Sequence, residues 1–214
     1  MTKDITMRRM VKILCLAGLL VAAMATRSMA VEYDFYSLTG DSQADYLFMD
    51  VTDSGNGTAS FEFTSSVPDA SVVTTIYWDF GDQNGNLTNS TWTSHPNTSF
   101  VEGAASANLP GGQAPEVGFY SDYSLEREAK GGVANGLNAG EWLKVVWTLS
   151  GIDFDGLLAA LNSGEMRIGM HVQSVGDDGE DSFSAVSPTP IPGAAWLLGS
   201  GLLGLVGLRR KMKL

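Results

Sequence analysis

The chain contains two histidines, His95 and His171, which are the first candidates for catalysis. Nucleophilic hydrolysis normally needs a histidine that lies beside a nucleophile and is oriented by a carboxylate. His95 precedes Pro96 in a polar stretch, which is typical of a solvated turn. His171 alternates with Met170 and Val172, so we expect it on the outward face of a strand. The sequence has no G-x-S-x-G nucleophile elbow, and we assign no catalytic residues.

Two clusters of oxygen-bearing side chains could bind a metal ion. Ca²⁺ takes about six to eight oxygen ligands. The spacing from Asp82 matches the start of a calcium loop, but Leu87 stands where the loop needs glycine and Thr93 where it needs glutamate. We therefore interpret both clusters as solvated turns, leave calcium open as a cofactor, and assign no metal ligands. The clusters are Asp79, Asp82, Asn84 and Asn86, and Asp177, Asp178, Glu180 and Asp181.

Tryptophans provide a third chemical signal. Trp147 alternates with apolar residues and is expected in the core, whereas Trp92 lies among threonines and serines and is a candidate for exposure. An exposed aromatic ring in an extracellular domain can stack on a sugar ring, which is the basis of a carbohydrate-binding hypothesis. Packing in the core or at a sheet edge remains the first interpretation.

The elements that must position these residues are mostly strands. Residues 46–51 and 59–64 flank an Asn56-Gly57 turn, and such a turn between alternating segments predicts a β-hairpin. In the second arm we expect Phe61 and Phe63 to face inward and Ser60, Glu62 and Thr64 to face outward. Further strands are predicted over 71–80, 142–149 and 166–172, and one short helix over 154–162, ended by Gly164. The pattern predicts an all-β fold, an antiparallel, jelly-roll-like β-sandwich with one short helix.

Two stretches lack a clear strand pattern. Residues 84–115 are polar with scattered glycine and proline, which indicates either a long surface excursion or an edge region. Residues 130–140 form a second, glycine-rich loop. The segment 77–82 resembles the WDFGDG signature of PKD domains, and we interpret it as a strand that runs into a turn.

The charge is divided unevenly along the chain. The whole chain has a net charge of -11, but residues 31–187 hold only four basic residues against 23 acidic ones, a net charge of -19. Such an acidic domain repels phosphate backbones, so we expect no nucleic-acid partner.

Residues 1–30 have the order of a secretory signal peptide. Basic residues (Arg8, Arg9, Lys12) precede an apolar run over 13–25, and the small residues Ser28 and Ala30 follow. This order predicts cleavage by signal peptidase before Val31, with cleavage after Ala25 or an uncleaved anchor as alternatives. Cys15 is the only cysteine and lies in the apolar run, so the mature chain has no disulfide.

The C-terminal residues 188–214 form a second address signal. Three prolines precede an apolar stretch, which predicts a short transmembrane helix over 192–208. The basic cytoplasmic end, 209–214, follows it, and the positive-inside rule places the domain formed by residues 31–187 outside the inner membrane. Trp196 and the cations anchor this tail at the membrane surface. The prolines are Pro188, Pro190 and Pro192, and the cations are Arg209, Arg210, Lys211 and Lys213.

Together the prolines, the helix PIPGAAWLLGSGLLGLVGL and the RRK end resemble the PEP-CTERM sorting domain, with Pro190, Ile191 and Pro192 as the sorting motif. The resemblance implies recognition and cleavage by an exosortase near this motif. It also implies a final location at the cell surface or in an exopolysaccharide and biofilm matrix. Residues 161–183 resemble the end of a β-sandwich ectodomain type that such proteins carry.

These observations favour an exported, non-catalytic surface or matrix protein, whose partners are signal peptidase, an exosortase and extracellular polysaccharide. The first alternative is a carbohydrate-binding module, with or without Ca²⁺. The second alternative is a secreted glycosidase or other hydrolase, which would need two carboxylates across a cleft.

Overall fold

A computed structural model describes residues 30–39, 42–67, 71–104, 108–175 and 181–187. Within these residues the chain forms eleven β-strands and one α-helix. The strands are β1 (Val31–Asp34), β2 (Tyr36–Ser37), β3 (Leu47–Gly55), β4 (Thr58–Ser65), β5 (Val72–Asp79), β6 (Leu87–Ser94), β7 (Phe100–Glu102), β8 (Tyr123–Arg127), β9 (Trp142–Leu149), β10 (Arg167–Val175) and β11 (Asp181–Ser187). The helix is α1 (Phe154–Ser163).

The strands form two antiparallel sheets. One has five strands in the order β1-β3-β4-β9-β6, and the other has six in the order β2-β11-β10-β5-β8-β7. The predicted all-β class with antiparallel sheets and one short helix is therefore confirmed. Neighbours in a sheet, such as β4 and β9, are far apart in the chain, so most of the pairing is non-local.

The predicted hairpin is formed by β3 and β4. Asn56 and Gly57 have positive φ angles of 54° and 72°, which asparagine and glycine adopt most easily. Asp53 accepts a hydrogen bond from the Gly55 amide at 2.8 Å and so holds the turn. The turn thereby sets the register that places Phe61 opposite Val51.

The core lies between the sheets and is centred on Trp78 of β5, which is fully buried. Its ring makes edge-on contacts with Phe63 and Trp147 from the five-stranded sheet, at centroid distances of 5.7 and 6.0 Å. A third edge-on contact, at 5.5 Å, comes from Tyr123 of its own sheet. These rings pack the two sheets face to face, and aromatic pairs in this geometry add stability beyond their buried area.

The predicted alternation holds in β4, β9 and β10. Phe61 and Phe63 are buried, as are Leu143, Val145 and Trp147, while Glu62 and Thr64 of β4 are half-buried. Ser60 differs from the prediction, because it is buried although it lies on the outer face. It is a small side chain on a strand with neighbours on both sides, where it pairs with the larger residues Thr52 and Val146.

Helix α1 begins and ends close to the predicted positions. The Asp153 side chain accepts a hydrogen bond from the Gly156 amide at 2.8 Å, which is an N-cap. Gly164 ends the helix in the left-handed conformation with φ of 75°. Leu157 and Leu161 are buried and attach the helix to the core.

The polar stretch 84–115 is an edge region, which is one of the two structures that the sequence indicates. It contains β6, the last strand of the five-stranded sheet, and β7, the last strand of the six-stranded sheet. Two side-chain hydrogen bonds join this side of the sandwich: Trp92 Nε1 donates to the Phe100 carbonyl at 3.0 Å, and the Ser90 and Tyr123 hydroxyls lie 2.9 Å apart. None of the helices among the described residues is long and apolar enough to cross a membrane.

Candidate ligand-binding site

The outer face of the six-stranded sheet is partly covered by its own loops. Leu109 and Phe119 pack on Tyr77 and Val186 and form a second, small apolar cluster there. Gly169 permits this close packing, because a Cβ atom at its position would lie 2.7 Å from a methyl carbon of Leu109. The remaining outer face is more polar.

A polar depression of about 200 Å³ lies on this face and is lined by Thr74, Thr75, Glu126, Arg127, Ala129, His171 and Gln173. We call it the His171 depression. Strand register creates it, because Thr75 of β5 pairs with Glu126 of β8 on one side and with His171 of β10 on the other. Directly paired residues of antiparallel strands share a face, so these side chains form a row across three strands. Gln173 lies two residues beyond His171 on the same strand.

Two irregularities of the strands adjoin the depression. The register between β10 and β5 shifts between His171 and Val172, and the extra residue is Thr74, whose hydroxyl donates to the His171 carbonyl at 3.2 Å. The register between β10 and β11 shifts after Gln173, where Ser174 has a positive φ of 59°. Bulges bend a strand and re-aim its side chains, and they are frequent next to binding sites.

His171 lies on the outer face, as its alternation with buried Met170 and Val172 predicts. Burial lowers the pKa of its imidazole and so favours the neutral ring. A neutral imidazole offers one donor and one acceptor. The imidazole has no hydrogen-bond partner within the described part of the chain. It is therefore available to a ligand.

His95 is not simply a solvated turn residue. Its Nδ1 lies 3.5 Å from Oε1 of Glu141, whose side chain is 10% exposed. The other oxygen of Glu141 accepts hydrogen bonds from the Thr98 hydroxyl at 2.8 Å and from the backbone and side-chain nitrogens of Asn138 at 2.9 Å. Burial raises the pKa of Glu141, but the hydrogen bonds from Asn138 and Thr98 and the charge of His95 outweigh it and leave the pKa below 4.5.

Glu141 connects the loop that contains Thr98 to the loop that contains Asn138. The sequence did not predict this role, because no neighbouring residue distinguishes Glu141 from a surface carboxylate. A shallow groove of about 530 Å³ lies beside it. The groove is lined by Pro96, Asn97, Ser99, Ala134, Asn135, Asn138 and Glu141. The hydrogen bonds to the Glu141 carboxylate compensate for its burial, so its role is to stabilise the fold.

The first carboxylate cluster differs from the predicted solvated turn at one residue, since Asp82 and Asn84 are exposed but Asp79 is not. Asp79 is buried, and one of its oxygens lies 2.7 Å from a guanidinium nitrogen of Arg167. Its other oxygen accepts from the Gly81 amide at 3.3 Å. Asn84 donates to Asp122, and Asn86 donates to Gln83. These groups hold a strand-to-turn junction together, which agrees with our interpretation of 77–82.

Among the described residues, no group of three or more histidines, cysteines or carboxylates could hold a metal ion. The second predicted cluster cannot be placed, since Asp177, Asp178 and Glu180 lie outside the described residues, as does the side chain of Asp181. The sorting and cleavage residues also lie outside them, except Ala30, which is exposed. Those residues are Ser28, Pro190, Ile191, Pro192, Trp196, Arg209, Arg210 and Lys211.

Trp92 is not the exposed sugar-stacking ring that the carbohydrate hypothesis used. It is half-buried, packs against the main core, and donates its indole N–H to the Phe100 carbonyl. The strand β7 at the edge of the other sheet lies close enough for its Phe100 carbonyl to accept this hydrogen bond. The most exposed aromatic side chain among the described residues is Tyr120, at 61%.

Comparisons of the chain with protein-family models, with curated proteins and with solved structures find no match.

Proposed function

We propose that this protein is an exported, exosortase-processed surface or matrix protein of a bacterium, and that it acts without catalysis. The observation that carries the proposal is the three-part C-terminal tail of prolines, apolar helix and basic end. The proposal includes a signal helix and a transmembrane helix at the two ends, and a jelly-roll-like connectivity of the domain between them.

The limits of the strands support this division of the chain. Strand β1 begins at Val31, where the mature chain is expected to begin, and β11 ends at Ser187, one residue before the proline-rich tail. All eleven strands of the described residues therefore lie between the two proposed cleavage sites. A folded domain can leave the membrane after both cuts.

A non-catalytic role agrees with how the buried carboxylates are used. Asp79 is paired with Arg167, and Glu141 holds Thr98 and Asn138. Both groups fix the fold and are not free to act as an acid and base pair.

The sorting proposal is tested on protein purified from its native host. Mass spectrometry is expected to show a chain that begins at Val31 and lacks residues 196–214. The Pro190→Ala and Pro192→Ala variants should retain the tail, because they change the sorting motif. Pro188→Ala is the matched control and should be processed normally. A wild-type protein that still carries Trp196 to Leu214 contradicts exosortase cleavage and supports a single-span anchor.

The second candidate function is that of a carbohydrate-binding module. The His171 depression, with hydrogen-bonding groups that the fold leaves available, is the observation that favours it, in place of Trp92. Hydrolysis of a polysaccharide by the purified protein, lost on a single Asp or Glu substitution, would instead establish the third candidate, a glycosidase.

A further inference from the structure

Other parts of the chain cover the outer face of the six-stranded sheet at the positions next to the His171 depression. Tyr77, two residues from Thr75, lies under Leu109 and Phe119. Ser124, two residues from Glu126, is covered by Gly103, where a Cβ atom would approach the serine oxygen to 2.2 Å. Ser184, paired with His171 in the register, is buried, and its amide donates to the Thr39 hydroxyl at 3.2 Å.

Three of the polar side chains that line the depression are unpaired within the described residues, whereas the Thr74 hydroxyl donates to the His171 carbonyl. The side chains of Glu126, His171 and Gln173 are half-buried and have no hydrogen-bond partner within the described residues. Because these side chains are half-buried, their polar atoms can form hydrogen bonds with water or with a ligand that displaces it. They stand on strands, and side chains on strands hold a ligand more accurately than those on loops.

The charge of the depression differs from that of the domain around it. Glu126 and Arg127 carry opposite charges, and they lie within a domain whose net charge is -19. A phosphate or an acidic sugar would be repelled by the domain, while a metal ion would find only one carboxylate in the lining. A neutral ligand meets neither obstacle.

We propose that the His171 depression binds one sugar unit of a neutral polysaccharide, through hydrogen bonds from the side chains of β5, β8 and β10. A sugar hydroxyl both donates and accepts, which matches a lining that contains an amide, an imidazole, hydroxyls, a carboxylate and a guanidinium. This inference rests on the proposed carbohydrate-binding role and names its site and ligand class.

A site of this size holds a sugar weakly. A few hydrogen bonds to one sugar unit correspond to a dissociation constant on the order of 1 mM. Many copies of the protein on one long polysaccharide chain, or one protein at many repeats, would increase the overall binding without new contacts. Weak single sites therefore suit a matrix component.

The test is binding of the full-length protein, in a detergent without a sugar head group, to neutral oligosaccharides of three to six units. The probes are oligomers of glucose, galactose, mannose and N-acetylglucosamine, with galacturonate oligomers and inorganic phosphate as the charged comparison. Titration is followed by NMR or calorimetry up to about 10 mM, which covers the expected affinity. At least one neutral probe is expected to bind, and the charged probes are not.

Variants locate the site. His171→Ala and Gln173→Ala should each weaken binding by about tenfold, since each removes hydrogen bonds to the ligand. His95→Ala is the matched control, because it removes the other half-buried histidine. Tyr120→Ala tests stacking on the most exposed aromatic ring. Both should bind as the wild type does, and near-ultraviolet circular dichroism of the buried tryptophans checks that each variant is folded.

Three results would overturn the inference: no neutral probe binds, only a charged probe binds, or the His171→Ala and Gln173→Ala variants bind as tightly as the wild type. Loss of binding in Tyr120→Ala alone would move the site to that ring and also overturn it. None of these results changes the mass of the mature chain, so the sorting proposal is tested separately.

Discussion

Glu141 stabilises the fold through hydrogen bonds that its neighbours in the sequence do not predict. Its carboxylate is held by Thr98, 43 residues earlier in the chain, and by Asn138, three residues earlier. The hydrogen bonds favour the ionised form, so the pKa lies below 4.5 despite burial. The stability that this group contributes is therefore present above about pH 4.5 and is lost as the pH falls through the lower pKa of the folded state.

The Glu141→Gln variant is expected to flatten the acid side of the stability profile. Glutamine keeps an acceptor oxygen for Thr98 and Asn138 but cannot be protonated in this range. The free energy of unfolding, measured by urea denaturation from pH 7 to pH 3, should fall less steeply in the variant than in the wild type below pH 4.5. Glu62→Gln is the control, because Glu62 pairs with Lys144 at the surface. Equal slopes for Glu141→Gln and the wild type would contradict the prediction.

For His171, the sequence predicted the face of the strand but not the residues that surround the side chain. Its alternation with Met170 and Val172 correctly predicted the outer face. The companions of His171 could not be predicted, because Thr75 and Glu126 reach it only through pairing between distant strands. Local periodicity fixes the face of a strand, and register decides which residues share it.

At the scale of elements, the Arg167 side chain connects β10 to β5 and to the loop that contains Val117 and Gly118. It pairs with Asp79 of β5 and donates to the carbonyls of Val117 and Gly118, and its guanidinium lies 5.4 Å from the centroid of the Phe119 ring. The side chains of Arg167 and Asp79 are only 17% and 9% exposed. The loop that covers part of the six-stranded sheet is held in place at its C-terminal end by this contact.

Replacing Arg167 with methionine should lower the free energy of unfolding by about 3 kcal/mol, because it leaves a buried carboxylate without its partner. Lys144→Met is the matched control: it breaks the Lys144–Glu62 pair, whose side chains are 41% and 36% exposed, and should cost less than about 1 kcal/mol. Urea denaturation measures both, and hydrogen exchange of residues 117–120 should rise in Arg167→Met alone. Equal losses in the two variants would contradict the role of Arg167.

Elements with local signals were predictable, and those without were not. The β3–β4 hairpin follows from Asn56-Gly57, and α1 follows from its cap at Asp153 and its stop at Gly164. Strands β6 and β7 lie in a polar stretch with little alternation of apolar residues, so only their edge position could be anticipated. They are strands because β9 and β8 provide backbone partners.

At the scale of the whole molecule, the last described strand completes the six-stranded sheet from within. β11 lies between β2 and β10, so it fills an interior position of the six-stranded sheet although it comes at the end of the domain. Its residues Ala185 and Val186 are fully buried. The fold therefore depends on residues that immediately precede the proposed sorting tail.

A chain that ends at Ser187 should unfold with the same urea midpoint as the full-length protein, because it retains every strand of the described residues. A chain that ends at residue 180 should show no cooperative transition, since it lacks β11 and leaves β2 without a partner strand. Near-ultraviolet circular dichroism of the buried tryptophans reports the transition. A cooperative transition in the shorter chain would contradict this dependence.

By itself the sequence determined the all-β class, the hairpin, the helix and the inward faces of the main strands, because turns and alternation are local properties. It also supports the predictions for the two terminal addresses, which depend on local order of charge and hydropathy. Only the tertiary structure decided that Asp79 meets Arg167 across 88 residues and that Trp92 donates a hydrogen bond to the opposite edge. The same is true of the row formed by Thr75, Glu126 and His171, because non-local strand pairing, and no local pattern, sets which side chains meet.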